Sequence, residues 1–325
     1  MRLAPLLATT VLIAACASTP AAQTSTTTSS GESAPTTGSA TTTSSAPDTF
    51  TGADGVASTI DDTDRIVTLS GDLTEIVWAL GLGESVVATD VTTVFPPEAV
   101  GLPVVGVGRF LTAEGVLGQA PTLVLGDTQT SPLTAIDQIR GANVPVVIFD
   151  VPTSFTGLYE KIRSVANALG VRDRGDALAA SLQAEIDDAL AGASPLAEPP
   201  GIAFIYSRGP DVMLLFGSEM TTNPLIVAAG GRDVGAQSGV IKTVSVTPEA
   251  LVAAAPDVIV ITREGLDALG GLDGLLAIPG FAETPAGRDR RVLAYPEGDI
   301  LTFGPRIADS LRLLIEDTRH LLGAS

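Results

Sequence analysis

Side chains with distinctive chemistry are scarce in this sequence, and their scarcity is informative. The 325 residues include one Cys, Cys16, one His, His320, and three Tyr. A single Cys excludes an internal disulfide framework and a Cys-rich metal site, and a single His excludes a multi-histidine metal site. A Ser-His-Asp triad is nearly excluded as well. His320 stands near the end of the last predicted helix, a position typical of a surface or C-cap histidine.

Motifs of common enzyme classes are also missing from the sequence. There is no Walker A loop and no Gly-x-Ser-x-Gly elbow, since residues 235–239 have the wrong spacing. Gly106-Val-Gly108 lacks the third Gly of a dinucleotide-binding fingerprint. We therefore predict that the protein is not an enzyme.

The charge balance excludes a further class of partner. There are 18 Lys and Arg against 37 Asp and Glu, for a formal net charge of −19. Nucleic-acid binding needs a Lys- and Arg-rich surface, so we expect no nucleic-acid partner. The length favours two domains, and 45% hydrophobic residues supply a full core.

Cys16 follows a segment with the features of a signal peptide. Arg2 gives a positive start, and the apolar run 3–15 is too short for a membrane span, which needs about 20 residues. The small residues before Cys16 resemble a bacterial lipobox, which implies cleavage and lipidation there; the alternative is an ordinary signal peptide with a chance Cys. Residues 17–58 are rich in Thr, Ser, Ala, Gly and Pro and predict a disordered tether after a signal peptide at 1–16.

The rest of the chain alternates predicted strands and helices in two similar halves. Such alternation favours an α/β fold with a mostly parallel sheet in each half. We predict an N-terminal lobe at 59–172 and a C-terminal lobe at 195–325. The predicted strands are 65–70, 85–90, 122–125, 144–149, 202–206, 212–216, 258–262 and 291–295, and a final helix is predicted at 305–322.

An internal repeat supports two lobes of one design. Thr112-Ala-Glu114 and Thr247-Pro-Glu249 lie about 135 residues apart and open matching segments. Each segment has an N-cap Thr, a Glu in the first helical turn, an apolar helix, an Ala-Pro break and an apolar strand.

The segment between the halves, 173–194, predicts one long helix. Leu178, Leu182, Ile186 and Leu190 recur every four residues on it. Its position between the repeats favours a helix that joins the lobes, and the alternative is a core helix inside one lobe.

These features together resemble the substrate-binding lipoproteins of bacterial ABC importers for haem, iron siderophores and vitamin B12. Several stretches are more closely similar to the haemin-binding lipoproteins of actinobacterial haem importers. The resemblance implies two Rossmann-like lobes joined by one rigid helix, with the ligand in the cleft between them. It implies haem as transported ligand rather than cofactor, a partnership with an ABC permease dimer and its ATPase subunits, and anchoring by lipid alone to the outer face of the cell membrane. The similar stretches are 68–83, 95–98, 206–209, 228–231, 265–274, 284–291 and 303–306.

The resemblance also implies a set of ligand-binding residues. It places the axial iron ligand at Tyr206, in a Tyr-x-Arg-Gly motif, and tyrosinate is a suitable donor for ferric haem. Arg208 would hydrogen-bond the phenolate or pair with a propionate. Related proteins often carry Tyr at position 95 and a His near 106–110, and both are absent here. The sixth iron ligand is left open, with Met213 and Met220 as weak candidates. Further predicted cleft residues are Phe95, Arg109, Phe110 and Arg306.

Glu114 and Glu249 match the residues that dock such proteins to Arg residues of the permease, and the alternative is that they only favour a helix N-terminus. Two alternatives to the haem prediction remain open. One is a siderophore or corrinoid on the same scaffold. The other is a scaffold that has lost its ligand and acts as an adhesin or envelope interaction protein.

Overall fold

A computed structural model describes residues 48–106, 111–193, 196 and 198–323. Cys16, the predicted signal peptide, the tether up to residue 47, and the predicted cleft residues Arg109 and Phe110 lie outside these ranges. Within the described residues, no helix has the length and apolar character that crossing a membrane requires.

The first described element is a β-hairpin, which corrects the predicted tether boundary at residue 58. β1 (Asp48–Thr51) pairs antiparallel with β2 (Ala57–Ile60). The hairpin packs on the N-terminal lobe, since the Phe50 ring lies 5.7 Å from that of Phe149 and the Ala53 amide donates to the Ile148 carbonyl. The composition predicted disorder here because one Phe among polar residues gives little hydrophobic signal. That residue, Phe50, nevertheless packs against Phe149.

The N-terminal lobe is built on a four-stranded, wholly parallel sheet in the order β4-β3-β5-β6. Its strands are nearly all buried, as expected for a parallel sheet covered on both faces. They are β3 (Ile66–Thr68), β4 (Val86–Ala88), β5 (Leu123–Asp127) and β6 (Val146–Phe149). The helices are α1 (Gly71–Ala79), α2 (Pro97–Val100), α3 (Ala113–Leu117), α4 (Leu133–Gly141) and α5 (Phe155–Ala168), and α6 (Arg172–Ala191) leads to the second lobe.

The C-terminal lobe has a mixed sheet in the order β10-β8-β7-β11-β12, with β9 pairing beside β7. β7, β11 and β12 are parallel, whereas β8 runs antiparallel to both of its neighbours. The strands are β7 (Gly201–Ser207), β8 (Met213–Phe216), β9 (Arg232–Asp233), β10 (Thr243–Ser245), β11 (Val258–Thr262) and β12 (Val292–Tyr295). The helices are α7 (Thr222–Ala228), α8 (Val234–Gln237), α9 (Pro248–Ala254), α10 (Arg263–Ala268), α11 (Gly271–Ala277), α12 (Pro285–Arg288), α13 (Glu297–Leu301) and α14 (Ile307–Leu321).

The long helix α6 packs against α5 of the first lobe and α14 of the second. Its buried residues are Gly175, Ala179, Leu182, Ile186 and Ala189, whereas Leu178 is half-buried and Leu190 exposed. The predicted stripe was therefore partly wrong, because a spacing of four residues turns about 40° around a helix at every step. Gly175 allows close approach to α5, since a Cβ there would overlap that of Ala166. The predicted end of the segment, residue 194, lies outside the described residues.

The structure confirms the internal repeat. The Thr112 hydroxyl accepts from the Gly115 amide at the start of α3, and the Thr247 hydroxyl accepts from the Ala250 amide at the start of α9. Ala120 and Ala255, the residues before each Pro, both adopt a left-handed conformation, with φ of 49° and 45°. Each copy then enters a buried strand, so the two lobes share this unit in three dimensions.

Candidate ligand-binding cleft

The parallel strands of both lobes end at a cleft with a volume of about 670 Å³. The carboxyl ends of parallel strands are the usual place for ligands in open α/β sheets. From the N-terminal lobe the lining includes Ser70, Asp72, Thr92, Asp127 and Pro152, and from the C-terminal lobe Tyr206, Arg208, Phe216, Met220, Glu264, Glu297 and Phe303. A second cavity, of about 400 Å³, is lined by the hairpin and the N-terminal lobe, with no residue of the C-terminal lobe among its lining residues in the described part of the chain.

Tyr206 is the penultimate residue of β7, and its side chain lines the cleft. The ring stacks on Phe216, with centroids 5.9 Å apart and planes 23° apart, and it is half-buried. Burial raises the pKa of the Tyr206 phenol, Glu297 raises it further and Arg208 lowers it. Among the described residues, none hydrogen-bonds to the Tyr206 hydroxyl. The cleft therefore contains a neutral phenol with its oxygen available to a ligand.

Tyr206 is the single Tyr among the residues that line the cleft. Tyr159 is buried on α5, and the Tyr295 hydroxyl donates to an Asp317 carboxylate oxygen of α14 at 2.8 Å. His320 is exposed in the last turn of α14, as its sequence position predicts.

Arg208 lies over the Tyr206 ring, with its guanidinium carbon 4.8 Å from the ring centroid. Its two terminal nitrogens donate to the two carboxylate oxygens of Glu297 at 2.6 and 2.8 Å. This differs from the expectation of a hydrogen bond to the phenol oxygen, because the guanidinium faces the ring and is held by a carboxylate.

Glu297 is a cleft residue that the sequence reasoning missed. It begins α13, directly after β12, and its amide donates to a carboxylate oxygen of Glu264 at 2.9 Å. Glu264 itself follows β11. The available signal was positional, because residues that follow parallel strands lie at one edge of the sheet. The strand order β7-β11-β12 then brings Arg208, Glu264 and Glu297 together.

The N-terminal wall of the cleft is polar and acidic. Lys161 forms a buried ion pair with Asp72, whose second oxygen accepts from the Ser70 hydroxyl at 2.6 Å. Burial raises the pKa of Asp127, and the cation of Lys161 opposes that rise. Asp90 lies behind this wall, and burial raises its pKa to about 6. Both walls carry carboxylates, and the aromatic lining residues, Tyr206, Phe216 and Phe303, come from the C-terminal lobe.

Phe95 and Arg306 are not among the residues that line the cleft, contrary to the prediction. The Arg306 guanidinium lies over the Phe95 ring at 4.3 Å and donates to Glu75 at 2.6 Å and to Asp299 at 2.9 Å. Glu75 belongs to α1 of the other lobe, so these contacts join the lobes. Arg306 is outside the cleft because a buried carboxylate already holds it.

Glu114 and Glu249 are exposed in the first turns of α3 and α9. Among the described residues, neither forms an ion pair. Each lies in the same place of its copy of the repeat.

Comparison with known proteins agrees with this architecture. In the solved structure of the periplasmic heme-binding protein RhuT from Roseiflexus sp. RS-1 in apo form, 43% of aligned residues are identical, the TM-score is 0.77, and the match covers 80% of this chain and 99% of that one. The ABC transporter substrate-binding lipoprotein YvrC of Bacillus subtilis is 27% identical over 257 residues, which cover 78% of this chain and 79% of YvrC. The cobalamin-binding protein of Halobacterium salinarum is 29% identical over 282 residues, covering 82% of this chain and 73% of that protein.

The two-lobe α/β fold implied by the sequence resemblance is confirmed by these likenesses. A family model described as periplasmic binding protein matches residues 66–298. The chain therefore belongs to the periplasmic binding protein family.

Proposed function

We propose that this protein binds haem in the cleft between its lobes and delivers it to an ABC permease, as a carrier without catalytic activity. The observation that carries the proposal is the phenol of Tyr206, which faces the cleft without a hydrogen-bond partner among the described residues. Tyr206 is half-buried at the surface of the cleft, so its oxygen is accessible to a ligand that enters there.

The cleft has the other features that haem requires. Phe216, Met220 and Phe303 give the Tyr206 side an apolar wall suited to a flat macrocycle. The phenol oxygen, once it has lost its proton, is a known type of axial donor to haem iron. The identity to a heme-binding protein over most of both chains adds to this support.

An absorption titration of the purified protein with hemin tests the proposal. We expect a Soret shift at micromolar hemin that Tyr206→Phe abolishes, because the phenol oxygen would be the axial donor. Tyr159→Phe is the matched control, since Tyr159 is buried on α5 away from the cleft. A wild-type protein without any spectral change would contradict the proposal, and loss of the shift in both variants would point to general damage rather than to this site.

A corrinoid is the second candidate ligand, and the acidic wall favours it. The side-chain amides of a corrinoid are hydrogen-bond donors, and Asp72 and Asp127 present carboxylate acceptors to the cleft. The likeness to a cobalamin-binding protein points the same way. Competition in the same titration separates the two candidates: cyanocobalamin that displaces hemin at equal concentration would favour the corrinoid.

We also propose that Glu114 and Glu249 dock the protein to the permease. Both are exposed, both begin capped helices, and the two copies of the repeat present them in equivalent places. Paired acidic groups in a pseudo-symmetric arrangement suit a basic, two-subunit partner and fix its orientation.

Charge reversal tests this docking role. Glu114→Arg combined with Glu249→Arg should stop haem uptake by cells while leaving hemin affinity within about twofold, because the carboxylates would touch the permease and not the ligand. Asp137→Arg combined with Glu316→Arg is the control, since these are also exposed carboxylates, one in each lobe. Weakened hemin binding in the first double variant would place the two Glu in ligand binding instead.

The location we propose is the outer face of the cell membrane, with a lipid on Cys16 as the anchor. Family membership and the likeness to a substrate-binding lipoprotein support an extracytoplasmic position. The lipobox-like residues before Cys16 support the anchor.

A further inference from the structure

The cleft is acidic although the proposed ligand is an anion. Asp72, Asp127, Glu264 and Glu297 line it, and Arg208 is the single basic residue among the described lining residues. Haem carries two propionates that need cations or solvent. In this part of the cleft, the cation available to a propionate is therefore Arg208, which already forms an ion pair with a carboxylate.

The partner of Arg208 mimics a ligand carboxylate. Glu297 binds the guanidinium through both oxygens, at 2.6 and 2.8 Å, in the two-pronged geometry that Arg offers to any carboxylate. An incoming propionate needs the same two nitrogens. Occupation of Arg208 by Glu297 and by a ligand carboxylate is therefore mutually exclusive in this geometry.

The Arg208–Glu297 pair is placed so that it can exchange. The Arg208 side chain is 48% exposed and that of Glu297 is 29% exposed, and ion pairs with this degree of exposure contribute little net stability. The backbone of Glu297 is fixed, since its amide donates to Glu264 and Asp299 in the same helix holds Arg306. Release of Arg208 thus needs a rotation of the Glu297 side chain and no movement of α13.

We propose that Glu297 is a specificity-determining residue that competes with ligand carboxylates for Arg208. The inference rests on the proposed haem function and deepens it. Glu297 lowers the affinity for porphyrins that bear free carboxylates and leaves unaffected those that bear none. When the ligand is released to the permease, the Arg208–Glu297 ion pair forms again in place of the Arg208–propionate pair. Arg208 therefore does not retain the ligand.

Two probes that differ only in their carboxylates test the competition. Hemin has free propionates, whereas hemin dimethyl ester has the same ring and iron with the carboxylates blocked. Glu297→Gln should tighten hemin binding roughly tenfold, because a neutral amide competes weakly for a guanidinium, and should leave binding of the ester within about twofold. The hemin affinity of Glu297→Gln should also depend more steeply on salt, since an ion pair with the ligand replaces an internal one.

Glu264→Gln is the matched control because it also removes one carboxylate charge from the cleft lining. Its amide oxygen still accepts from the Glu297 backbone, and the Arg208–Glu297 pair is retained. We expect it to shift the hemin-to-ester affinity ratio much less than Glu297→Gln does, because it removes only the general repulsion between a cleft carboxylate and the propionates. Glu297→Asp gives a second variant that keeps the charge but is too short for the two-pronged contact, and it should shift the hemin-to-ester ratio in the same direction as Glu297→Gln.

The outcomes separate this inference from the function on which it rests. A wild-type protein that binds neither probe overturns the proposed haem function and the inference together. Hemin binding by the wild type, with equal hemin-to-ester ratios in Glu297→Gln and Glu264→Gln, overturns the competition alone.

Discussion

Two arginines of the C-terminal lobe form ion pairs with carboxylates of the same short helix, α13, but in different surroundings. Arg208 binds Glu297 and Arg306 binds Asp299, two residues apart on α13. Arg306 also binds Glu75 from the other lobe, whose side chain is 3% exposed, whereas the Glu297 side chain is 29% exposed. Both arginines form ion pairs, so the burial of the carboxylate is what distinguishes the pair that joins the lobes from the partly solvated pair in the cleft.

In the Arg306–Glu75 pair, burial makes the charged form of the Glu75 carboxylate unfavourable. Burial raises the pKa of Glu75 from its ordinary value of 4.5 to about 7, although the hydrogen bond and charge of Arg306 act against that rise. One oxygen of Glu75 is buried without a hydrogen-bond partner among the described residues. A buried carboxylate of this kind depends on its cation far more than an exposed one does.

The largest predicted effect contrasts the two arginines directly. At about pH 8, where Glu75 with its pKa of about 7 is mostly ionised, Arg306→Ala should lower the free energy of unfolding by about 3 kcal/mol, since it leaves Glu75 buried without a cation and removes the contact with Phe95. Arg208→Ala should lower it by less than about 1 kcal/mol, because both members of that pair are partly solvated. Urea unfolding of both variants measures the difference. Equal losses would show that burial does not distinguish the two pairs.

The second prediction concerns the part of the pH dependence of the free energy of unfolding that comes from Glu75. Its folded-state pKa of about 7 lies above the ordinary value of 4.5, so between these pH values the folded chain binds a proton that the unfolded chain has released. The free energy of unfolding should therefore fall as pH rises from 4.5 to 7, by up to about 1.4 kcal/mol per pH unit from this group.

Glu75→Gln should remove that part of the slope, which urea unfolding at a series of pH values would measure. Asp90→Asn is the comparison variant, because burial also raises the pKa of Asp90, to about 6, and its slope has the same sign but ends at a lower pH. An unchanged slope in Glu75→Gln would mean that Glu75 is ionised in the folded chain throughout this range.

The sequence predicted the features that are local and missed those that depend on distant partners. The strands, the long helix and the two Thr-capped repeats were predictable because each depends on periodicity or on spacing within a few residues. Tyr206 was placed correctly at the end of a strand facing the cleft, because its motif and the end of β7 coincide. Arg306 was misplaced because its partner Glu75 is 231 residues away in the chain, and no local pattern reveals such a pair.

Glu297 and the hairpin show two further limits of sequence reasoning. Glu297 looks like an ordinary acidic residue at a helix start, and it gains its place beside Arg208 only from the order of strands in the sheet. The hairpin was hidden by polar composition, since its attachment depends on one Phe, one backbone hydrogen bond to β6 and polar contacts with distant residues, such as the ion pair of Asp54 with Arg140.

The smallest predicted effect concerns Gly298, the residue between the two carboxylates of α13. A Cβ at Gly298 would overlap Cγ2 of Val94, so the loop of the N-terminal lobe contacts α13 between the exposed pair and the buried one. Gly298→Ala should displace Val94 and lower the free energy of unfolding by about 1 kcal/mol, as expected for a modest overpacking at a site where the neighbour is half exposed. Gly101→Ala is the control, because a Cβ there has no neighbour within 4 Å. Double-mutant cycles can then combine Gly298→Ala with Arg306→Ala and with Arg208→Ala. We expect Gly298→Ala to reduce the stabilising effect of Arg306 and to leave that of Arg208 unchanged. This result would assign the loop contact to the junction between the lobes and show that the cleft pair is independent of it.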